Sequence, residues 1–459
     1  MSGEFVLAVK IVSAVLIEKI RYSLDGVMLN HVTDTLRGDY VERTSGDKVI
    51  LLLNNKVISI KQNIKLKAIE KLQTKVLFIE NKNIGVIDIE TFKANDNIQK
   101  VYALGFKTGL DETSHTYYID KHDLDSNKIV LSMIDELLRT RYSNIQFYCH
   151  NLGGYDIVFI LKILHDFNDY IDTLEIAERP SNKEEQLEYD LKYNKYKISC
   201  ILRDSKILKV SISRILRDNK KSFSIVDSYC MLSDSLLRLG QNFEVATIKS
   251  KFPYKFSTQS NLFYKGATPG INFYKNDIKS EEYALLNIPL WSFYDETIKY
   301  LNNDLYSLYE ILIKANKQFF RDYGVNISDN ITISGLAVRI YLKDFYSNNI
   351  PEVNKSSMYK DLKLAYYGGI TEVYKPFGYN LFYYDVNSLY PYLALQDMPG
   401  LDCSKILFYT EKQEIETLFG FFYCSIEAPL NGYLGLLPLR GKSGLTFPLG
   451  KWKGWYFSE

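Results

Sequence analysis

Acidic side chains in three separate stretches of this sequence stand where solubility alone does not call for them. In "NIGVIDIETFK" (83–93) an apolar, strand-like run places Asp88 and Glu90 two residues apart, so both project from one face. At about 3.3 Å per strand residue their stems stand roughly 6.6 Å apart. Two arrangements account for such a pair: an edge strand turning a polar face to water, or a divalent cation held between the carboxylates. In "FYCHNLGGYDIVFILKIL" (147–164) a short strand leads through a glycine-bearing turn into a helix that begins near Tyr155 and Asp156. Asp156 can cap that helix. Capping, however, asks neither for Gly153-Gly154, which permit close approach of another backbone, nor for Asn151 and Tyr155, which can hydrogen-bond to or stack on a nucleotide. In "YDETIKYLNNDLYSLYEILIKA" (294–315) Leu301, Leu305, Leu308 and Leu312 make the apolar stripe of a helix, and Asp304 falls inside it, with Tyr300 one turn earlier. A buried carboxylate needs a cation, a metal or several donors.

Asp88, Glu90, Asp156 and Asp304 together suit hard, oxygen-liganded ions such as Mg²⁺ or Mn²⁺, and the lack of nearby His or Cys speaks against zinc. A pair of such ions is the machinery for in-line attack on a phosphodiester. Tyr300 would then orient the attacking water.

The elements that must position these residues are strands and helices in mixed order. Strand-like runs at 84–91, 101–107, 115–119, 199–212 and 222–229 alternate with helical stretches such as "IVFILKILHDF", which predicts an α/β or α+β domain. The charged segment 179–197 reads as a solvated excursion or long hairpin tip. A long helix is expected at about 291–318, and "SNNIPEVNKSS" marks a break near 347–357. Residues 1–80 read as strand-rich, with a hairpin around Asn54-Asn55. The expected domains are thus 1–80, 81–320 and 321–459.

Composition excludes several classes. With 46% hydrophobic residues over 459 positions the chain has ample core, which rules out a disordered protein. The balance of 56 Lys+Arg against 55 Asp+Glu gives no global field for nucleic acid or membrane, and local patches must supply any such contact. Five dispersed cysteines form no CxxC pair, so neither a disulfide framework nor a zinc site is indicated. The apolar start is interrupted by Lys10 and Glu18, too short and charged to span a bilayer, so a soluble protein is expected.

The order of these motifs carries a resemblance. "DIE" (88–90), Asn-x-x-x-Tyr-Asp (151–156) and Tyr-x-x-x-Asp (300–304) resemble the three exonuclease motifs of proofreading DNA polymerases. Downstream, Asp-x-x-Ser-Leu-Tyr-Pro in "YYDVNSLYPYLALQDMPG" (383–400) resembles the first polymerase motif of family B DNA polymerases. "AYYGGITEVY" (365–374) resembles that family's Tyr-x-Gly-Gly motif, and "SLLRL" (235–239) its single-strand-holding Ser/Thr-Leu motif. From about residue 84 onward the chain is similar to the protein-primed members, especially those of linear mitochondrial plasmids.

That resemblance implies an RNase H-like 3′→5′ exonuclease domain followed by the start of a polymerase palm. It assigns Asp88, Glu90, Asp156, Tyr300 and Asp304 to exonuclease catalysis, all but Tyr300 as metal ligands. Asp385 would be a metal ligand and catalytic residue of the polymerase site. Asn151, Tyr155, Ser235, Leu236, Tyr366, Gly368 and Gly369 would contact DNA, and Ser388, Leu389 and Tyr390 the incoming nucleotide. Lys249 or Lys251 would serve the exonuclease lysine motif. The implied partners are DNA, dNTPs and a terminal priming protein, without a membrane, and the implied location is mitochondrial. The family's fingers lysine and later Asp-Thr-Asp strand have no counterpart before Glu459, so a polymerase truncated at its C-terminus is expected, with little polymerase activity of its own. The alternatives are a stand-alone exonuclease and an inactive, single-strand-binding remnant.

Overall fold

The computed structural model describes residues 40–46, 48–53, 56–63, 67–72, 79–247, 250–274, 278–353, 356–368, 373, 375–401, 405–409, 419–432, 434–441 and 444–458. The chain divides into two compact units, one of Leu72–Phe345 and one drawn from both ends, up to Lys71 and from Tyr346 onward. The change near 347–357 expected from the sequence coincides with that boundary. Residues 80 and 320, the other expected domain ends, both lie inside Leu72–Phe345.

In the unit drawn from both ends, β1 (Tyr40–Ser45), β2 (Lys48–Leu53) and β3 (Lys56–Asn63) form an antiparallel meander. Leu53 stands opposite Lys56, as the expected hairpin requires, while Asn54 and Asn55 themselves lie outside the described residues. A strand from far along the chain, Lys405–Tyr409, pairs antiparallel with β3.

The contiguous unit is built on a seven-stranded mixed sheet. Its strands are β4 (Ile84–Lys93), β5 (Gln99–Thr108), β6 (His115–Tyr118), β7 (Gln146–Cys149), β8 (Lys197–Arg203), β9 (Lys206–Leu216) and β10 (Asn219–Asp227), in the spatial order β6-β5-β4-β7-β10-β9-β8. β4 is parallel to β7 and β7 to β10, whereas β5 runs against both its neighbours. That order with those directions, from β6 to β10, is the RNase H-like sheet that the resemblance implied.

Both faces of the sheet are covered, and the alternation of β4 tells which residue goes where. Ile87 and Ile89 pack into a core with helices α1 (Ser126–Leu137) and α2 (Asp156–Asp172). Ile84, Val86 and Phe92, of opposite parity, join the core that holds Leu301, Leu305, Leu308 and Leu312. Asp88 and Glu90 share that parity and therefore face the leucine-bearing helix.

Two expectations are corrected here. The charged segment 179–197 is largely solvated, as one of the two readings had it, but it is no hairpin tip: it contains helix α3 (Lys183–Tyr193), capped by Asn182, whose side chain accepts the Glu184 N–H at 3.1 Å. What anchors it is one fully buried carboxylate, Asp190, which takes Arg179 Nη2 at 2.9 Å and the Arg217 N–H at 2.6 Å. The surrounding charge hid that anchor. The run at 199–212 is two strands, β8 and β9, because Asp204 and Ser205 both adopt φ > 0 (50° and 66°) and turn the chain back. The signal was weak: Asp204-Ser205 are turn formers, but without Gly or Asn they do not stand out as a two-residue hairpin loop.

Beyond the sheet come a short helix α4 (Leu236–Asn242) and the long α5 (Phe293–Tyr323). Ser292 caps α5 by accepting the Asp295 N–H at 3.3 Å, acids fill its first turn, and Gly324 at φ 61° ends it. The helix outruns the expected 291–318 by one further turn. Gly105, opposite Asp88 on β5, lets α5 lie close: a Cβ there would stand 3.1 Å from Leu305 Cδ1.

From Tyr346 onward the unit drawn from both ends contains a helix at Ser356–Leu364 and an antiparallel pair, β11 (Phe421–Ala428) and β12 (Gly450–Phe457). Cys424, Ile426 and Tyr456, on one face of this pair, are buried, and Tyr367 stacks on Tyr456 at 5.7 Å. No helix among the described residues is long and apolar enough to cross a membrane.

Candidate active site

The sheet and α5 converge on three carboxylates. Ligand oxygens of Asp88, Glu90 and Asp304 all lie within 4.8 Å of one another. Among the described residues no other group of three or more acids, histidines or cysteines has such geometry. Glu90 is 9% and Asp304 4% exposed, while Asp88 is half-buried and leaves a way in from solvent. Like charges this close in a poorly hydrated place repel strongly unless a cation sits among them. An all-oxygen donor set without imidazole or thiolate fits a hard divalent ion such as Mg²⁺ or Mn²⁺. Of the two arrangements open for the Asp88 and Glu90 pair, the solvated edge fails: β4 is central and Glu90 is buried.

Tyr300 stands beside this trio. Its phenol is held well above the usual value of 10.0, chiefly by burial and then by the charges of Asp304 and Glu90. It therefore keeps its proton at any physiological pH. Its hydroxyl bonds that of Tyr254, and its ring lies 4.9 Å from that of Phe252. Nothing in the sequence reading singled out Tyr254; the only signal was an aromatic run, "FPY", right after Lys251. Lys251 is half-buried, and Lys249 lies outside the described residues.

The turn before α2 meets the same region from β7. Asp156 is the first residue of α2, 7% exposed, and its Oδ2 accepts the thiol of Cys149 at 3.4 Å. The capping role that Asp156 can play locally is not taken: Tyr155 occupies the cap position, and no side chain caps there. The Cys149 thiol is pushed up by burial first, then by the charges of Asp156 and Asp88. Tyr155 is 43% exposed, with its hydroxyl 2.6 Å from Thr91 Oγ1, the residue after Glu90. Asn151 is exposed at φ 64°. Gly153 does permit a close backbone approach: a Cβ there would lie 2.2 Å from the Ile207 carbonyl oxygen.

Ser235 and Leu236 are engaged locally. The Ser235 hydroxyl caps α4 by accepting the Arg238 N–H at 3.3 Å, and Leu236 joins the core. Their segment is tied to the turn all the same, because a ring nitrogen of His150 lies 2.9 Å from the Asp234 carbonyl oxygen.

The residues assigned to polymerization lie in the other unit and are exposed. Tyr366 is 71% and Tyr390 74% exposed, and Gly368 has open space around it. Gly369 lies outside the described residues. Asp385 is exposed in a stretch without strand or helix, and Ser388, at φ 54°, precedes a short helix, Leu389–Leu393. The aromatic run before Asp385 has the composition of a strand but pairs with no strand among the described residues.

Over residues 137–459 the sequence matches the family described as DNA polymerase type B, organellar and viral, and the chain belongs to that family. It is 39% identical over 423 residues to a probable DNA polymerase of Podospora anserina, covering 87% of this chain and 35% of that protein. To a probable DNA polymerase of Neurospora intermedia it is 26% identical over 453 residues, covering 90% of this chain and 43% of the relative. The chain thus spans less than half the length of either. Among solved structures, the orthorhombic crystal form of Phi29 DNA polymerase is similar at a TM-score of 0.47 and 15% identity, over 82% of this chain and 57% of that one.

Proposed function

We propose that Leu72–Phe345 is a metal-dependent 3′→5′ exonuclease that removes terminal nucleotides from DNA, as the proofreading part of a family B polymerase. The observation that carries this reading is the meeting of Asp88, Glu90 and Asp304 within 4.8 Å on a central strand and a packed helix. Those three would hold one divalent ion, and Asp156, sharing the Cys149 thiol's surroundings with Asp88, would help to hold a second. When bound, such ions activate water and stabilise the leaving oxygen of a phosphodiester. The protonated Tyr300 hydroxyl, backed by Tyr254, orients the attacking water. Asn151 and the exposed ring of Tyr155 receive the terminal nucleotide by hydrogen bonding and stacking.

For the whole protein, we infer a polymerase that copies a linear mitochondrial plasmid from a terminal protein primer. Asp385 would be its metal-binding carboxylate, Ser388, Leu389 and Tyr390 would hold the incoming dNTP, and Tyr366, Gly368 and Gly369 would contact the DNA. Membership of the organellar and viral family and the order of the motifs support this.

A 5′-labelled single-stranded oligonucleotide tests the nuclease reading. The chain with Mg²⁺ should give a ladder shortening from the 3′ end, and the double variant Asp88→Ala/Glu90→Ala should give none. Degradation unaffected by that double substitution, or by EDTA, would refute it.

A further inference from the structure

We propose that Asp227 is a positioning residue that clamps the Asn151–Asp156 turn and thereby sets where the Asp156 carboxylate stands; this rests on the nuclease reading above. Asp227 ends β10, is fully buried, and is not one of the clustered acids. Its two oxygens do different work. Oδ1 accepts the Tyr229 N–H at 3.0 Å, an ordinary local cap for the turn that follows. Oδ2 reaches across the sheet to accept the Gly153 N–H at 3.1 Å, and Lys206 Nζ lies 3.7 Å from that same oxygen. A cap alone needs one acceptor, which Ser or Asn supplies. Burying a full carboxylate is accounted for by the second oxygen and the lysine that offsets its charge.

The turn is held from the other side as well. Gly153 presses on β9 at Ile207, where no Cβ fits. Lys206, the residue before it, also lies 5.1 Å from the centre of the Tyr229 ring, so cation, carboxylate and ring brace one another. In the parallel pairing of β10 with β7, the partner of Asp227 is Cys149. Two neighbouring side chains therefore fix the same short segment, Asp227 through the Gly153 backbone and Cys149 through the Asp156 oxygen. Only two residues, Gly154 and Tyr155, lie between Gly153 and Asp156, too few to absorb a shift at one end without moving the other.

The test combines Mn²⁺ binding, read from the free-ion EPR signal without DNA, with exonuclease kcat and KM on a single-stranded oligonucleotide. Asp227→Asn keeps the side-chain volume and the Tyr229 cap but loses the charge opposite Lys206 and one acceptor. It is expected to weaken the weaker Mn²⁺ site and lower kcat by about 10- to 100-fold, with the oligonucleotide KM changing less. Saturating Mn²⁺ should restore part of kcat. Gly153→Ala, which forces the turn away from β9, should reproduce the Mn²⁺ defect, and it decides the matter should Asp227→Asn not fold. A folded Asp227→Asn with unchanged Mn²⁺ affinity and kcat overturns the proposal and leaves the nuclease reading standing. So does a lower melting temperature with Mn²⁺ binding intact. If Asp304→Asn, run alongside, cuts like the unsubstituted chain, the nuclease reading falls and this proposal with it.

Discussion

Replacing Asp304 by Asn should stabilise the metal-free protein while abolishing its response to metal. The trio places Asp304 within 4.8 Å of both Asp88 and Glu90. At an effective dielectric constant of about 20, each of these pairs repels by about 3.5 kcal/mol. Water reaching the half-buried Asp88, and local relaxation, reduce the net effect of removing one charge to about 1–2 kcal/mol. For a unit of this size that raises the melting temperature by roughly 2–4 °C per kcal/mol. Magnesium reverses the order. At a concentration a hundred times its Kd, an ion that binds only the folded chain adds about 2.7 kcal/mol, which the Asn variant, lacking a ligand, forgoes. Melting curves of both proteins in EDTA and in Mg²⁺ make the assay: the variant should melt higher in EDTA and the unsubstituted chain higher in Mg²⁺. An Asn variant that melts lower in EDTA, or gains as much from Mg²⁺, refutes the claim that these acids form an ion site.

The remaining predictions concern neighbouring parts of the molecule. Tyr300→Phe should lower exonuclease kcat without weakening Mn²⁺ binding, and adding Tyr254→Phe should cost less than it does alone, because the two hydroxyls bond each other. Arg214, 2% exposed, donates to Asp135 at 2.9 Å, so Arg214→Met should destabilise the chain by roughly 3–5 kcal/mol in chemical denaturation. Asp385→Ala, in the other unit, should leave the oligonucleotide ladder unchanged. In alkali, burial holds Tyr102 and Tyr300 well above the usual tyrosine value of 10.0, so the unfolded chain releases these protons first and stability falls as pH rises past about 10. Melting temperatures at pH 9 and above check this, and a flat profile would contradict it.

How much of this could be read from the sequence follows from the range of the interactions. The pairing of Asp88 with Glu90 and the place of Asp304 in a leucine stripe are periodic features, visible within a dozen residues, and the helix and strand predicted there are present. That they face each other follows from β4 alternation once α5 is known to cover that side. The Cys149 thiol on Asp156, the Tyr254 hydroxyl on Tyr300 and the Asp227 contact with Gly153 left no such trace. The last two join residues 46 and 74 positions apart and depend on tertiary packing, and the first, though only 7 positions apart, depends on how the turn between β7 and α2 folds back. α3 was hidden for a related reason, since a charged helix whose anchor is one buried ion pair looks like a surface loop.

The strand at Lys405–Tyr409 has a bearing on how this protein is made. β3 ends at Asn63, so its hydrogen-bonding neighbour leaves the ribosome 342 residues later (405 − 63), a delay of roughly 17–70 s at ordinary synthesis rates. During that interval the edge of β3 lies open to any passing strand. The seven-stranded sheet and its helices, encoded without interruption, can be complete before then. Nascent chains should therefore acquire protease resistance in the middle first, and slowing translation between codons 345 and 405 should increase aggregation through the N-terminal meander.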